Sequence, residues 1–308
     1  MNAYYNEIEP YCTRWLGNLT AAGHIAAGRV DGRSIADVQP QDIAATQAHF
    51  FAGIGIWSAA LRAAGWPDDC EVWTGSCPCQ PFSDAGSRKG TDDERHLWPE
   101  WHRLIAAHQP PVIFGEQVAS KDAFAWLDIV CADLERIGYT IRAISANACG
   151  FGAPHRRQRL YFVAYTDGER FERVRLQLQQ RGPRAPVLEA ARRSGIGDVG
   201  DTDGERAWRH SSSSSATEDR CAFGRFSARV VRDELIAPGA TRGHWANARW
   251  LQCTDGKARA IEPGTFPLVD GYPTRVAQLR AFGNAIVRPH AQAFIETVIE
   301  CLTQPIAM

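Results

Sequence analysis

Phe50-Phe51-Ala52-Gly53-Ile54-Gly55 runs directly into a helix-like stretch from Trp57 to Ala64. An apolar strand, a glycine turn and a helix start, in that order, form a nucleotide-type cradle, because glycine lets a ligand approach the backbone closely. The third glycine of a dinucleotide fingerprint is missing, since Ile56, Trp57 and Ser58 follow Gly55. That lowers the case for NAD.

The same alternation continues outward from this turn. Pro111-Val112-Ile113-Phe114-Gly115 is a short apolar run of the buried-strand type, and Leu160 to Ala164 is another. Between them, Ala125 to Ile137 carries Trp126, Ile129, Val130, Leu134 and Ile137 at helical spacing, with Gly138 as a C-terminal stop. Strand alternating with helix predicts an α/β fold, with a mostly parallel sheet covered on both faces. Composition changes after Tyr165. From Thr166 to about Gly264 the chain is rich in Arg, Gly and Ser, weakly periodic, and contains the serine run 211–215. Residues 1–164 are therefore expected to form the main domain and 165–264 a small irregular lobe. In the segment 265–308, Ile286, Ala293, Phe294, Val298 and Ile299 predict a final helix packing back on the first domain.

The chain has 308 residues, 44% of them hydrophobic and 22% charged, which fits a globular protein rather than a disordered one. No apolar stretch approaches the ~20 residues of a membrane span. No basic segment followed by an apolar run opens the chain, so the cytoplasm is the expected compartment. Nine scattered cysteines do not read as a disulfide framework. A net charge of −1 counts mildly against attachment to nucleic acid by bulk charge alone and leaves room for a local basic cleft. Nearly all the positive charge is arginine, whose planar fork suits phosphate and guanine.

The most specific chemical signal is Thr74-Gly75-Ser76-Cys77-Pro78-Cys79-Gln80-Pro81-Phe82-Ser83. The strand-like Val72-Trp73 runs into a Pro-Cys-Gln-Pro turn, and ligands of an open parallel sheet sit beyond the carboxyl ends of its strands. A zinc fragment is a poor alternative, because zinc pairs have two to four intervening residues and a second pair elsewhere. A redox dithiol fails on spacing too, with one intervening residue instead of two. Three weaker signals accompany it: Glu116-Gln117-Val118 after a buried strand, Arg157 and Arg159 alternating at the mouth of another and so pointing to one face, and Gly283-Asn284-Ala285-Ile286 before the last helix. Alone, each has an ordinary structural meaning.

In order, the set strongly resembles the cytosine-5 DNA methyltransferase family. That family carries a Phe-x-Gly-x-Gly cofactor loop, a Pro-Cys-Gln nucleophile, a Glu-Asn-Val acid, a Gln-x-Arg-x-Arg strand and a Gly-Asn-x-Val closing turn. Here they stand as Phe51/Gly53/Gly55, Pro78/Cys79/Gln80, Glu116/Gln117/Val118, His155/Arg157/Arg159 and Gly283/Asn284/Ala285/Ile286. Gln117 replaces an Asn that helps hold the catalytic loop, and His155 replaces a Gln. The resemblance implies a Rossmann-like S-adenosylmethionine-dependent methyltransferase sheet with a small irregular DNA-recognition lobe. It implies Cys79, Glu116, Arg157 and Arg159 as catalytic residues, and Pro78, Gln80 and Ser83 beside the substrate. It also implies S-adenosylmethionine, without a metal, lined by Phe51, Gly53, Ile54, Gly55, Leu97, Asn284 and Ile286. Leu97 belongs because Asp93, Arg95, Leu97 and Trp98 resemble the segment after the catalytic loop.

One departure is larger. A nucleotide-binding sheet carries an acid roughly 20 residues after its glycine loop. Here the segment after Gly55 makes one helix, reaches Gly65-Trp66-Pro67 and enters the Cys79 strand at once. The N-terminal Asn6-Glu7-Ile8 instead resembles the family's ribose-binding segment, and Gly32-Arg33-Ser34-Ile35 its adenine-contacting one, with Ser34 in place of an Asp. The expected strand order is therefore rearranged, with Glu7, Ile8, Ser34 and Ile35 joining the cofactor site from ahead of the glycine loop. Glu71 and the pair Asp68/Asp69 are the rival ribose acids. The expected partner is double-stranded DNA, bound by a monomer, with a restriction endonuclease counterpart. An RNA cytosine-5 methyltransferase on the same scaffold is the second reading. A non-catalytic nucleic-acid-binding relative is the third, and it has no need of Cys79, Glu116 and Arg159.

Overall fold

The structure, a computed structural model, describes residues 2–78, 97–151, 153, 157–180, 245, 248–252, 258–261 and 285–304. Its centre is a seven-stranded sheet. The strands are β1 (Ala3–Asn6), β2 (Gly28–Asp31), β3 (Gln47–Phe50), β4 (Val72–Gly75), β5 (Val112–Val118), β6 (Thr140–Asn147) and β7 (Gln158–Tyr165), in the spatial order β2-β1-β3-β4-β5-β7-β6. The first five are parallel to their neighbours, and β7 runs antiparallel to both β5 and β6. The N-terminal strand thus lies beside the glycine-loop strand, Ala3 against Gln47 and Asn6 against Phe50. This is the rearranged order that the missing acid after Gly55 called for.

Alternation along each strand sorts the side chains into two cores. Tyr5, Val72, Phe114, Tyr161 and Val163 face α1 (Pro10–Ala21), α2 (Ile56–Ala64), α5 (Glu169–Gln180) and α6 (Arg288–Thr303). Tyr4, Trp73, Ile113, Phe162 and Ala164 face α3 (Trp98–His108) and α4 (Lys121–Arg136). The link from β2 to β3 holds no α-helix. Two 3-10 turns, Ile35–Asp37 and Pro40–Asp42, carry it across, and Ile35, Val38 and Ile43 bury themselves in the second core.

Local chemistry sets the helix ends. Glu9 accepts from the Cys12 N–H at the start of α1, where Pro10 opens the first turn. Ser120 does the same for Ala123 at the start of α4. Gly65, with φ of 89°, closes α2.

The expected strands at 111–115 and 160–164 are β5 and β7, and the expected helices at 125–137 and before Leu302 are α4 and α6. Buried Ala293, Phe294 and Val298 join α6 to the sheet. Helix α5 lies beyond the expected boundary at Tyr165. Its Phe171, Val174 and Leu178 pack into the first core, so residues 169–180 extend the sheet's cover. A separate hairpin of β8 (Arg249–Gln252) and β9 (Ala258–Ile261) lies in the segment assigned to the lobe. The serine run falls outside the described residues. Among the described residues no helix is long and apolar enough to cross a membrane.

Candidate active site

Because β1, β3 and β4 are parallel, Glu7, Phe51 and Ser76 all emerge at one edge of the sheet. Gly53 and Gly55 adopt positive φ (55° and 77°), a conformation glycine reaches without a Cβ clash. The turn closes with Gly55 N–H donating to the Ala52 carbonyl. Phe51 also takes positive φ, 51°, and sets its ring edge-on to Trp101. The Glu7 carboxylate accepts the Gly53 N–H at 2.7 Å and the Glu9 N–H at 2.9 Å. Burial pushes its pKa up, and these backbone donors oppose that shift. Ile8 stands beside it 64% exposed, an apolar side chain in the open.

The neighbouring turn is tied to the same edge. Asn6 donates to the carbonyls of Asp31 and Arg33, which fixes the entry to Ser34. Ser34 caps the first 3-10 turn, while the side chain of Ile35 is buried against the core. Leu97 caps α3 and is half-buried, and Ile286 lies buried just before α6. Ile54 is buried under the glycine turn. Asn284 lies outside the described residues. The edge thus offers a carboxylate acceptor, an exposed apolar side chain and glycine backbone. That donor set fits the ribose diol, the adenine and the amino-acid tail of S-adenosylmethionine.

The rival acids lie elsewhere. Asp68 is held by Arg62 at 2.6 Å in the loop before β4. Glu71 precedes Val72 and pairs with Arg170. Both are at the opposite end of the strands from Glu7 and Gly53.

The second half of the site is built by β4, β5 and β7. Glu116 and Tyr161 are cross-strand partners, and Arg159 follows two residues along on the same face. Arg159 Nε meets Glu116 Oε1 at 2.7 Å, with both side chains nearly buried. Burial raises the Glu116 pKa, while the charge of Arg159, the nearby Ser76 hydroxyl and the charge of Arg157 pull it down. Arg157 precedes β7 with φ of 35° and donates to the Ala285 carbonyl. The strand mouth is therefore tied to the closing turn. The expected alternation of the two arginines is only partly a strand effect, because Arg157 stands outside β7.

Gln117 points to the other face. Its Nε2 donates to the Cys77 carbonyl at 2.7 Å, and its Oε1 accepts the Val118 N–H at 2.8 Å. The Gln that replaces the family's Asn thus grips the turn leading into Pro78. Pro78 is exposed at the end of the described segment, and Cys79, Gln80, Ser83 and His155 lie outside the described residues.

Two residues that the motifs did not single out, Trp57 and His290, border this half. Trp57 Nε1 donates to Ser76 Oγ at 3.1 Å. His290, at the start of α6, stacks on Phe151 with 4.4 Å between ring centroids and touches Tyr161. Burial, reinforced by the charge of Arg159, pulls its pKa down to about 3. Neither belongs to a spacing pattern, and only the folded sheet brings both against Tyr161.

The chain is similar to several known methyltransferases. The chain is 37% identical over 97 residues to the Type II methyltransferase M.AplI of Arthrospira platensis, covering 31% of this chain and 28% of that one. It is 32% identical over 101 residues to M.HhaI of Haemophilus parahaemolyticus, 32% of this chain and 31% of that one. Both matches span about a third or less of the relative. Type II methyltransferase M.NlaX of Neisseria lactamica is 26% identical over 251 residues, covering 76% of this chain and 78% of its own. The C-5 cytosine-specific DNA methylase family matches residues 61–219, beginning after the segments whose order is changed. With that match over half its length, the chain belongs to the C-5 cytosine-specific DNA methylase family.

Proposed function

We propose that this protein methylates carbon 5 of cytosine in double-stranded DNA, with Cys79 as the nucleophile. The observation that carries the reading is the buried Arg159–Glu116 pair at 2.7 Å, on strands next to the turn that leads into Cys79. Cytosine carbon 5 is a poor nucleophile. Attack of the Cys79 thiolate on carbon 6 turns the ring into an enamine whose carbon 5 accepts a methyl group. A free thiol has a pKa near ~8.5, and the arginines at this edge favour the thiolate. Glu116 in its protonated form donates to ring N3 as carbon 6 is attacked and accepts from the amino group, and Arg159 donates to the O2 carbonyl. Glu7, Ile8, the 34–35 turn, the 51–55 loop, Leu97, Asn284 and Ile286 would hold S-adenosylmethionine, which would supply the methyl group. Loss of the carbon-5 proton then expels Cys79.

A stacked base is out of reach of these groups, so the target cytosine must leave the helix, at a cost of a few kcal/mol. Residues of the 165–264 segment beyond α5 are the candidate groove readers. The protein acts as a monomer in the cytoplasm in this reading, and a restriction endonuclease of matching specificity is its natural counterpart. Bisulfite sequencing of DNA from cells expressing the protein tests it. Protected cytosines in a fixed sequence context are expected. Unmodified DNA together with methylated transfer RNA would replace DNA by RNA as the substrate, and no transfer to either would end the reading.

A further inference from the structure

Arg33 is engaged through its backbone N–H, its carbonyl and its guanidinium. The N–H donates to Asp31 Oδ1 at 3.1 Å, and the carbonyl accepts from Asn6 Nδ2 at 2.9 Å. The guanidinium forks onto Asp31, with Nε 3.0 Å from Oδ1 and Nη2 2.6 Å from Oδ2. The same Nη2 reaches Asp42 Oδ2 at 2.9 Å. This nitrogen carries two hydrogens, so each carboxylate receives its own. Arg33 therefore ties the end of β2 to the second 3-10 turn, across a link with no α-helix to stiffen it. The middle of that link is fastened to α3, where Arg103 donates to the Val38 carbonyl and His108 Nε2 meets the Pro40 carbonyl. Ser34 stands ahead of those fastenings, directly after Arg33. An exposed ion pair contributes little by itself. This one is bidentate on a carboxylate whose side chain is only 6% exposed.

We propose that Arg33 is a positioning residue for the cofactor: by clasping Asp31 and Asp42 it presets the 34–35 turn in the shape that receives the adenine ring. The proposal rests on the reading of that turn as part of the S-adenosylmethionine site. Asn6 extends the clasp, because it holds the carbonyls of Asp31 and Arg33 and immediately precedes Glu7. The adenine turn and the ribose acid are thereby fixed relative to each other. A turn already in its bound shape loses less conformational freedom when the ligand arrives, which raises affinity without a new contact. The fold does not depend on the clasp. Without the guanidinium, Asp31 keeps the Tyr4 hydroxyl at 2.8 Å and Arg29 at 3.1 Å, and Asp42 keeps the Gln39 N–H at 3.0 Å. No buried charge is stranded, and only the link is loosened.

Calorimetry with S-adenosylhomocysteine, and with adenosine in competition against it, tests this on Arg33→Met, Asp42→Ala and the double variant of the full chain. Arg33→Met keeps the aliphatic stem and drops the fork, while Asp42→Ala removes the far end of the clasp. Arg33→Met should weaken both probes by the same factor, roughly three- to tenfold, because the loss sits at the adenine end they share. Asp42→Ala should act the same way by less. The double variant should be no worse than Arg33→Met, since both break one clasp. In methyl transfer, KM for S-adenosylmethionine should rise while kcat at saturating cofactor stays at the parent value. A merely structural role would instead lower binding stoichiometry and kcat together, at parental KM. That outcome, a loss for S-adenosylhomocysteine but not for adenosine, or unchanged affinity in Arg33→Met overturns the proposal. If Glu7→Ala is still impaired, the cofactor reading of this edge survives. Parental affinity in both Arg33→Met and Glu7→Ala would remove that reading and the proposal with it.

Discussion

The backbone N–H of Gly53 donates to Oε2 of Glu7 at 2.7 Å, across 46 positions of the chain. The glycine loop and the N-terminal acid therefore form one surface. Glu7→Ala should weaken S-adenosylmethionine binding by roughly ten- to a hundredfold, the loss expected for hydrogen bonds to a charged acceptor at about 1.5–3 kcal/mol each. Glu71→Ala should leave affinity unchanged, because Glu71 pairs with Arg170 at the far end of the strands. Isothermal calorimetry on the two variants decides the matter, and a loss confined to Glu71→Ala would reverse the assignment.

Cys79→Ser should abolish methyl transfer and leave cofactor binding intact. Cys77→Ser should retain most activity, since Cys77 is buried and its carbonyl is engaged by Gln117. A duplex containing 5-fluorocytosine should trap a covalent adduct on Cys79, because fluorine cannot leave as a proton does. Mass spectrometry of the trapped peptide locates the bond. An adduct on Cys77 would move the nucleophile by two residues.

Gln117→Ala leaves the Cys77 carbonyl without its 2.7 Å donor and loosens the turn ahead of Cys79. One buried hydrogen bond of about 1 kcal/mol corresponds to a rate loss of roughly five- to tenfold. The loss should fall on kcat, with KM for the cofactor unchanged. A change in cofactor KM alone would show that Gln117 serves the other half of the site.

Two buried histidines should make the fold sensitive to acid. His49, which shares a hydrogen bond with Thr74, and His290 both have pKa values pulled down by burial to about 3 from an ordinary 6.5. Above pH 6.5 both are neutral whether folded or unfolded, and their full stability is present. As pH falls from 6.5 towards 3, the unfolded chain takes up protons that the folded chain refuses. Stability then drops by about 1.4 kcal/mol per pH unit for each histidine. Urea unfolding at pH 7.5 and pH 5 should show His290→Phe losing less stability across that interval than the parent protein. Equal losses would place His290 in contact with solvent.

Much of this site was legible because its spacing survives in the linear chain. The absence of an acid after Gly55, set against Asn6-Glu7 ahead of it, was enough to place β1 beside β3. Glu116 directly follows a buried apolar run, so its place on the Cys79 edge could be inferred, whereas Arg159 precedes its run and reaches that edge only because β7 is antiparallel to β5. Other features left no linear trace. Helix α5 hides in an arginine- and glutamine-rich stretch, because its buried stripe is only Phe171, Val174 and Leu178. Strand β6 sits at the sheet's edge with half-exposed residues and shows no clean alternation. The pairing of Trp57 with Ser76 depends on how far apart α2 and the β4 turn sit, and no residue type announces that distance.

The passage from β2 to β3 crosses over β1 by two 3-10 turns rather than an α-helix. Along the chain the block from β1 to β2 is joined to the remainder by this one short overpass, and in space by the strand seam of Ala3–Asn6 against Gln47–Phe50 and by α1 packing into the core it shares with α2. Such a block is a transposable cassette. It can stand before or behind the glycine loop in the chain and still occupy the same place in the sheet, leaving Cys79, Glu116 and Arg159 untouched. What brings Glu7 to Gly53 is thus adjacency of strands in space, which the order of segments along the chain leaves free.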